Sequence, residues 1–178
     1  MGPYKERNMK LYIKQKPLSL KEKLSVINSK EEVRYSVEGE ALSFGRRLHI
    51  FDAANKETAT IKQKFLSMQP RFFVYQSGKP VMEVVQKFTL IKHKYAIYGS
   101  DWTVSGDLGE HDYSITCSYG KVAIVKRTEF DGGDCLEMDL SNTVNEAMLV
   151  RAVATVLAID CVVTKKRIKR NKAAKSEE

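Results

Sequence analysis

The sequence predicts a mainly β domain: an antiparallel meander of about twelve short strands, closed or nearly closed as a barrel around one hydrophobic C-terminal helix. Three observations carry that expectation. Strand-like segments recur at close spacing with turn residues between them; one long apolar segment follows them; and that segment has no polar face, so it needs apolar neighbours on most sides. The chain has 178 residues, 43% hydrophobic and 29% charged, which is long enough to bury a core in a single domain. Its three cysteines are too few and too irregularly spaced for a disulfide scaffold, and that suits a cytoplasmic protein.

Residues 1–9 are expected to be a leader or an expression remnant, because Met1 to Arg7 runs through polar residues with no apolar stretch of signal length and Met9 offers a second start. The barrel is expected over 10–164. Its clearest strand is Tyr113 to Tyr119, where Tyr113, Ile115 and Cys117 alternate with Ser114, Thr116 and Ser118. The same period fits Lys10 to Lys16, Val33 to Val37, Leu48 to Asp52, Thr58 to Phe65, Phe72 to Gln76, Val81 to Phe88, Lys94 to Tyr98, Trp102 to Ser105, Val122 to Phe130 and Leu136 to Leu140. Turn chemistry separates them at Glu38-Gly39-Glu40, Ala54-Asn55, Ser77-Gly78-Lys79, Tyr119-Gly120-Lys121 and Asp131-Gly132-Gly133-Asp134. Leu18 to Leu24 reads equally as strand or as a short helical turn.

The helix is expected over about 143–164, opening on Thr143 with Glu146 three residues later, a capping-box spacing. Val144 to Val163 followed by Lys165, Lys166 and Arg167 also has the outline of a membrane span with a positive flank. Against a span stand Asn145, Glu146, Arg151 and Asp160, since each mid-span charge costs about 2.5 to 3.5 kcal/mol on the insertion scale. A buried core helix is therefore preferred, a rod of about 30 Å threading the barrel. Arg151 and Asp160 lie about 180° apart on the wheel and must each find a separate partner; Asp160 is expected to accept from strand-end or loop backbone at a barrel mouth. Residues 165–178 are expected to be a basic, disordered tail.

The formal charge is +8, and its distribution matters more than its size. Lys62 to Lys94 carries seven basic residues against Glu83, whereas Asp101 to Asp139 carries nine acidic and three basic, so one flank is +6 and the next −6. From Lys165 onward the tail adds seven basic residues and two Glu, or +5. Lys62 and Lys64 alternate with Ile61, Gln63 and Phe65 and are expected to point outward together.

Catalytic patterns are missing from the sequence: it has no nucleophile elbow, Walker loop, dinucleotide fingerprint or paired-histidine metal motif. His49, His93 and His111 are widely spaced, so strand packing is preferred to a zinc site built with Cys117 or Cys135. Cys117 and Cys161 are expected to pack as small hydrophobes, with Cys135 more exposed beside its glycine turn. Trp102 is expected in the core. Asp131 to Asp134 is expected to be a hairpin turn and not a cation site.

The opening Leu11-Tyr12-Ile13-Lys14-Gln15-Lys16, then Tyr35-Ser36-Val37-Glu38-Gly39 leading to Leu48-His49-Ile50-Phe51-Asp52, then Ala59-Thr60-Ile61-Lys62-Gln63-Lys64, Tyr119-Gly120-Lys121-Val122-Ala123 and finally Leu157-Ala158-Ile159-Asp160 together carry a resemblance. From about Leu11 to Val163 the chain resembles the LURP-one-related group and its bacterial relatives within the Tubby C-terminal-like fold, which also includes Tubby proteins and phospholipid scramblases. That resemblance implies a non-enzymatic barrel that engages anionic phospholipid head groups or a similar phosphate-bearing surface, with no cofactor. The family's own binding residues do not map onto particular positions here. The basic residues of this chain supply the candidates: Lys62, Lys64, Arg71, Lys87, Lys92 and Lys94 on the flank, and Lys165, Lys166, Arg167, Lys169 and Arg170 in the tail. A peripheral position at the inner face of the membrane follows as an expectation. A protein partner is the alternative. Nucleic acid is disfavoured because no aromatic-rich basic platform appears beyond Arg71, Phe72, Phe73 and Tyr75.

Overall fold

Twelve strands and one helix make up the computed structural model, which describes residues 9–14, 23–40, 45–89, 94–130 and 132–175. In chain order the strands are β1 (Met9–Lys14), β2 (Leu24–Asn28), β3 (Val33–Gly39), β4 (Arg47–Asp52), β5 (Glu57–Gln63), β6 (Arg71–Gln76), β7 (Lys79–Lys87), β8 (Lys94–Tyr98), β9 (Thr103–Asp107), β10 (Asp112–Cys117), β11 (Gly120–Phe130) and β12 (Gly133–Leu140), followed by α1 (Glu146–Lys175). They form one antiparallel sheet in the order β8-β7-β6-β5-β4-β3-β2-β1-β12-β11-β10-β9. Each strand therefore pairs with its neighbour in sequence, except β8 with β9, and β1 closes the curl by pairing with β12, Leu11 opposite Met138.

The barrel is nearly closed. Only β8 and β9 stand at the ends of the order, joined by residues 99–102 and not by a ladder. Tyr95, Ile97, Trp102 and Val104 line that seam and are buried, which keeps water off the helix behind it. The β9–β10 hairpin next to the seam depends on Gly106, whose φ is +133° and whose Cβ, were one present, would lie 2.5 Å from the Asp112 carbonyl and 2.6 Å from Tyr113 Cα.

Alternation fills the lumen. Leu11 and Ile13 of β1, Tyr35 and Val37 of β3, Ile50 of β4, Ile61 of β5, Phe72 and Val74 of β6, Val84 of β7, Ile115 of β10 and Leu136, Met138 and Leu140 of β12 are all buried in one cluster with α1. Within the helix, Ala152 to Ile159 are essentially inaccessible, and Leu149 to Val163 are buried apart from the half-buried Arg151 and Asp160. The helix is long and apolar enough to cross a membrane, yet its apolar turns lie inside this protein. Outside the barrel, β1, β2 and β12 share a small apolar patch of Tyr12, Ile27 and Cys135, with Phe130 stacked on Tyr12 at 4.1 Å between ring centroids.

Several expectations are corrected. β2 was not anticipated as a strand; it begins at Leu24, the last residue of the ambiguous stretch, of which 18–22 lie outside the described residues. Cys135 is fully buried under Phe130 and its thiol is pushed up by burial, so it is no exposed turn residue. The helix begins at Glu146, and its cap is Asn145, whose Oδ1 accepts from the Met148 amide at 3.0 Å while Thr143 bonds the Ser141 hydroxyl. The stretch expected as a disordered tail continues the helix to Lys175, as the helix propensity of Lys, Arg and Ala favours once the buried turns supply the nucleus.

Leu157→Ala is expected to lower stability by about 2 to 5 kcal/mol in chemical denaturation, the usual cost of a core cavity. Leu157→Asp should abolish folding, because the carboxylate has no partner inside the barrel. A soluble, cooperatively folding Asp variant would place that helix face in water.

Candidate functional site

The direction of α1 gives the barrel two different ends. At the entry end Glu146 meets β3, accepting from the Tyr35 hydroxyl and from Arg34 at 3.3 Å. There Arg151 finds its partner in β6: its Nε donates to Gln76 Oε1 at 2.7 Å, and Gln76 Nε2 donates to the Ala147 carbonyl at 3.2 Å. At the exit end Asp160 meets His111. Asp160 Oδ1 lies 3.0 Å from His111 Nε2 and accepts from the Thr164 hydroxyl at 3.0 Å, while an Arg127 guanidinium nitrogen stands 3.1 Å from His111 Nδ1. Arginine only donates, so Nδ1 accepts and the imidazole proton sits on Nε2, facing the carboxylate. Asp160 is thus met by the His111 and Thr164 side chains, and with the helix running to Lys175 it is far from the helix C-terminus. His111 holds a left-handed backbone (φ 55°) and is buried, a conformation that this cluster secures. Burial also pushes the Tyr113 and Cys161 hydrogens toward being retained, Tyr113 additionally through the nearby Asp160 charge.

The sequence-predicted basic residues divide into two sets. Lys62, Arg71 and Lys87 lie half-buried on the outer sheet surface and are engaged: Lys62 Nζ sits 4.7 Å over the Tyr75 ring, Arg71 pairs with Glu83 at 2.5 Å, and Lys87 Nζ reaches the Tyr98 hydroxyl at 2.6 Å. Lys64 and Lys94 are exposed at the exit end, Lys94 in register with Lys87. Lys165, Lys169 and Arg170 are exposed on the helix beyond the barrel, with Lys166 and Arg167 occupying helix positions between them. Lys92, like His93, lies outside the described residues. The outward projection of Lys62 and Lys64 holds, but β5 ends at Gln63, so Lys64 leads into a loop and the two do not share a strand face.

That loop carries what sequence reasoning missed. Phe65 is 54% exposed, Leu66 87% and Met68 91%, and Phe88, just past β7, is 64% exposed. The loop is tied to both strands, since the Lys64 amide donates to the Arg71 carbonyl and the Gln86 amide to the Pro70 carbonyl. Four large apolar side chains therefore stand in water at the end from which the basic helix emerges, beside Lys64 and Lys94. The signal was present in Phe65-Leu66-Ser67-Met68 before Pro70, an apolar run in a turn.

A second feature lies on the outer wall. Arg47, His49, Thr60, Lys62 and Tyr75 line a groove of about 360 Å³. His49 is held between Glu57 at 2.9 Å and Glu40 at 2.8 Å, and Glu40 also accepts from Arg47. These contacts lower both carboxyl pKa values, Glu40 chiefly through His49 and Glu57 chiefly through the Thr60 hydroxyl. Among the described residues no group of three or more His, Cys, Asp or Glu converges as a metal ion requires.

A protein-family model described as LURP-one-related matches residues 9–160. The chain is 30% identical over 149 residues to an uncharacterized protein of Bacillus subtilis, YxjI, an alignment covering 84% of this chain and 91% of the relative. An X-ray structure of an Arabidopsis thaliana protein superposes with a TM-score of 0.59 at 14% identity, covering 85% of this chain and 91% of the other, which shows the shared fold.

Asp160→Asn is expected to cost about 1 to 2 kcal/mol, the difference between a charge-assisted and a neutral bond to His111, read by urea unfolding. The Glu57 carboxyl stabilises the fold above the ordinary carboxylate range and loses that contribution as pH falls through its lowered pKa. Glu57→Gln should therefore flatten the acid limb of stability against pH; an unchanged limb would show that the groove contacts contribute nothing.

Proposed function

The chain belongs to the LURP-one-related family, and from that premise we propose that it is a non-enzymatic binding barrel whose ligand is the anionic phospholipid surface of a membrane, approached from the cytoplasmic side. The observation that carries this reading is the coincidence at one barrel end of the exposed Phe65, Leu66, Met68 and Phe88 with Lys64, Lys94 and the cationic helix extension. Apolar side chains flanked by ammonium and guanidinium groups suit a bilayer interface, where rings and thioethers enter the head-group boundary and each nearby Lys or Arg gains about 1 kcal/mol. A soluble nucleic acid would use the charge but not the apolar tips. Arg71 and Lys87 contribute less than the sequence suggests, because Glu83 and Tyr98 already occupy them.

Across the β8–β9 seam the β9–β10 and β11–β12 hairpins carry Asp107, Asp112, Glu129 and Asp134 toward the same end, so an anionic leaflet is expected to meet the β5 to β8 side and the helix extension with the acidic side tilted away. A protein partner is the second reading, favoured by the same apolar tips if they meet an acidic protein surface.

Sedimentation with phosphatidylserine-containing vesicles tests the proposal. Binding is expected to weaken as salt rises from 50 to 500 mM, on the order of tenfold or more, through screening. Ending the chain after Thr164 should weaken attachment without unfolding the barrel, and Leu66→Glu with Met68→Glu should weaken it at low salt as well. Equal affinity for neutral phosphatidylcholine vesicles, or for DNA and vesicles alike in the Glu variant and the parent, would remove the membrane reading.

A further inference from the structure

Arg151 lies in the second turn of a helix otherwise apolar around its circumference, at the end of the barrel remote from the proposed membrane face. A guanidinium there carries a desolvation cost that an uncharged side chain would avoid. Its Nε is committed to Gln76, and Gln76 is itself fixed by the Ala147 carbonyl, so the planar group is held in one orientation from behind. Among the described residues Arg151 has no ion-pair partner. It faces a cavity of about 490 Å³ at the barrel mouth, whose walls include Val81, Ala147 and Val150 and whose rim carries Lys56 and Lys79. That volume lies within the range of small-ligand sites, about 300 to 1,000 Å³.

Three carboxylates also line the cavity, and each is engaged elsewhere. Asp52 Oδ1 accepts from the Ala54 and Lys56 amides, each at 2.9 Å; Glu57 holds Thr60 and His49; Glu146 accepts from Tyr35 and Arg34. The uncommitted cationic edge of the site is therefore the pair of terminal guanidinium nitrogens, preorganised by Gln76. A planar oxyanion matches that pair in two parallel bonds, and the valine and alanine walls call for an apolar body behind it.

We infer that the helix-entry mouth is a binding site for a small monocarboxylate with an apolar body, received by Arg151. The site stands apart from the exit end, so a protein docked on a membrane would still present it to solution. Lys56 and Lys79 offset the charge of the engaged carboxylates around the mouth, and Val81, Ala147 and Val150 select for the apolar portion.

Octanoate is the probe, added to the full chain labelled with ¹⁵N, with methyl octanoate, octanol and inorganic phosphate as comparisons. Octanoate is expected to shift the Arg151 side-chain Nε–H resonance and the amides of Gln76 and Val81 with a saturable dependence. The neutral ester and alcohol should bind at least tenfold more weakly, and phosphate should not displace octanoate at equal concentration. Arg151→Met, which suits the apolar helix and leaves the fold intact, should weaken octanoate binding at least tenfold. Val81→Glu, on the wall and not the floor, should do the same by repulsion. Ester and acid binding alike would make the cavity merely apolar, and phosphate competing equally would make it merely cationic; either overturns the assignment. So does an Arg151→Met protein whose octanoate affinity stays within twofold of the parent.

Discussion

A helix that is apolar around its whole circumference must be wrapped on every side, and that need organises this molecule. Ala152 to Ile159 have no face to offer water, so the sheet curls until β1 meets β12 and the buried tips of Ile50, Ile61, Val74, Ile115 and Met138 surround the rod. Fully burying a Val, Leu or Ile is worth about 1.5 to 3 kcal/mol, and the helix contributes many such residues from one element. The sheet needs the helix as much as the helix needs the sheet, because a twelve-stranded lumen without it would be empty. The interruption between β8 and β9 is tolerated because Tyr95, Ile97, Trp102 and Val104 cover it.

Threading the helix through the barrel makes the two mouths chemically different. Two charges interrupt the apolar rod, one near each mouth, and each is met by a strand-borne side chain: Gln76 for Arg151, His111 for Asp160. At the exit, α1 carries its cationic turns into solvent beside an apolar loop. At the entry, a guanidinium oriented from behind faces a cavity. The separation of +6 and −6 segments along the chain becomes a separation in space because meander topology keeps sequence neighbours side by side, β5 to β8 on one flank and β9 to β12 on the other.

The parts of this that were legible in the sequence are those set by local period and composition. Tyr113 to Cys117 alternates because one face is buried and the other wet, and α1 was conspicuous because it lacks a polar face. β2 was not legible: Leu24 and Val26 face the lumen, but Ile27 is buried too, beneath the external patch of Tyr12 and Cys135, so Leu-Ser-Val-Ile-Asn loses its clean alternation. The same patch hid the burial of Cys135. The spacing of Thr143 and Glu146 suggested a capping box, yet Thr143 is taken by Ser141 and the cap passes to Asn145. Partners 49 to 75 residues away, such as His111 for Asp160 and Gln76 for Arg151, leave no local trace. The exposed Phe65 was absorbed into a strand drawn two residues too long, and Leu66 and Met68 beyond it were left unread.

Native-state hydrogen exchange resolved by residue, with and without phosphatidylserine-containing vesicles, tests most directly whether an enclosed helix divides the molecule into a rigid interior and a docking end. Enclosure requires the amides of Val153 to Ile159 to exchange only through global unfolding, and those of Lys169 to Lys175 and Leu66 to Met68 to exchange orders of magnitude faster, with vesicles slowing only the latter group. Rapid exchange at Val153 to Ile159 while β1 and β12 remain protected would mean that the helix leaves an intact barrel, and would contradict the mutual dependence of sheet and helix.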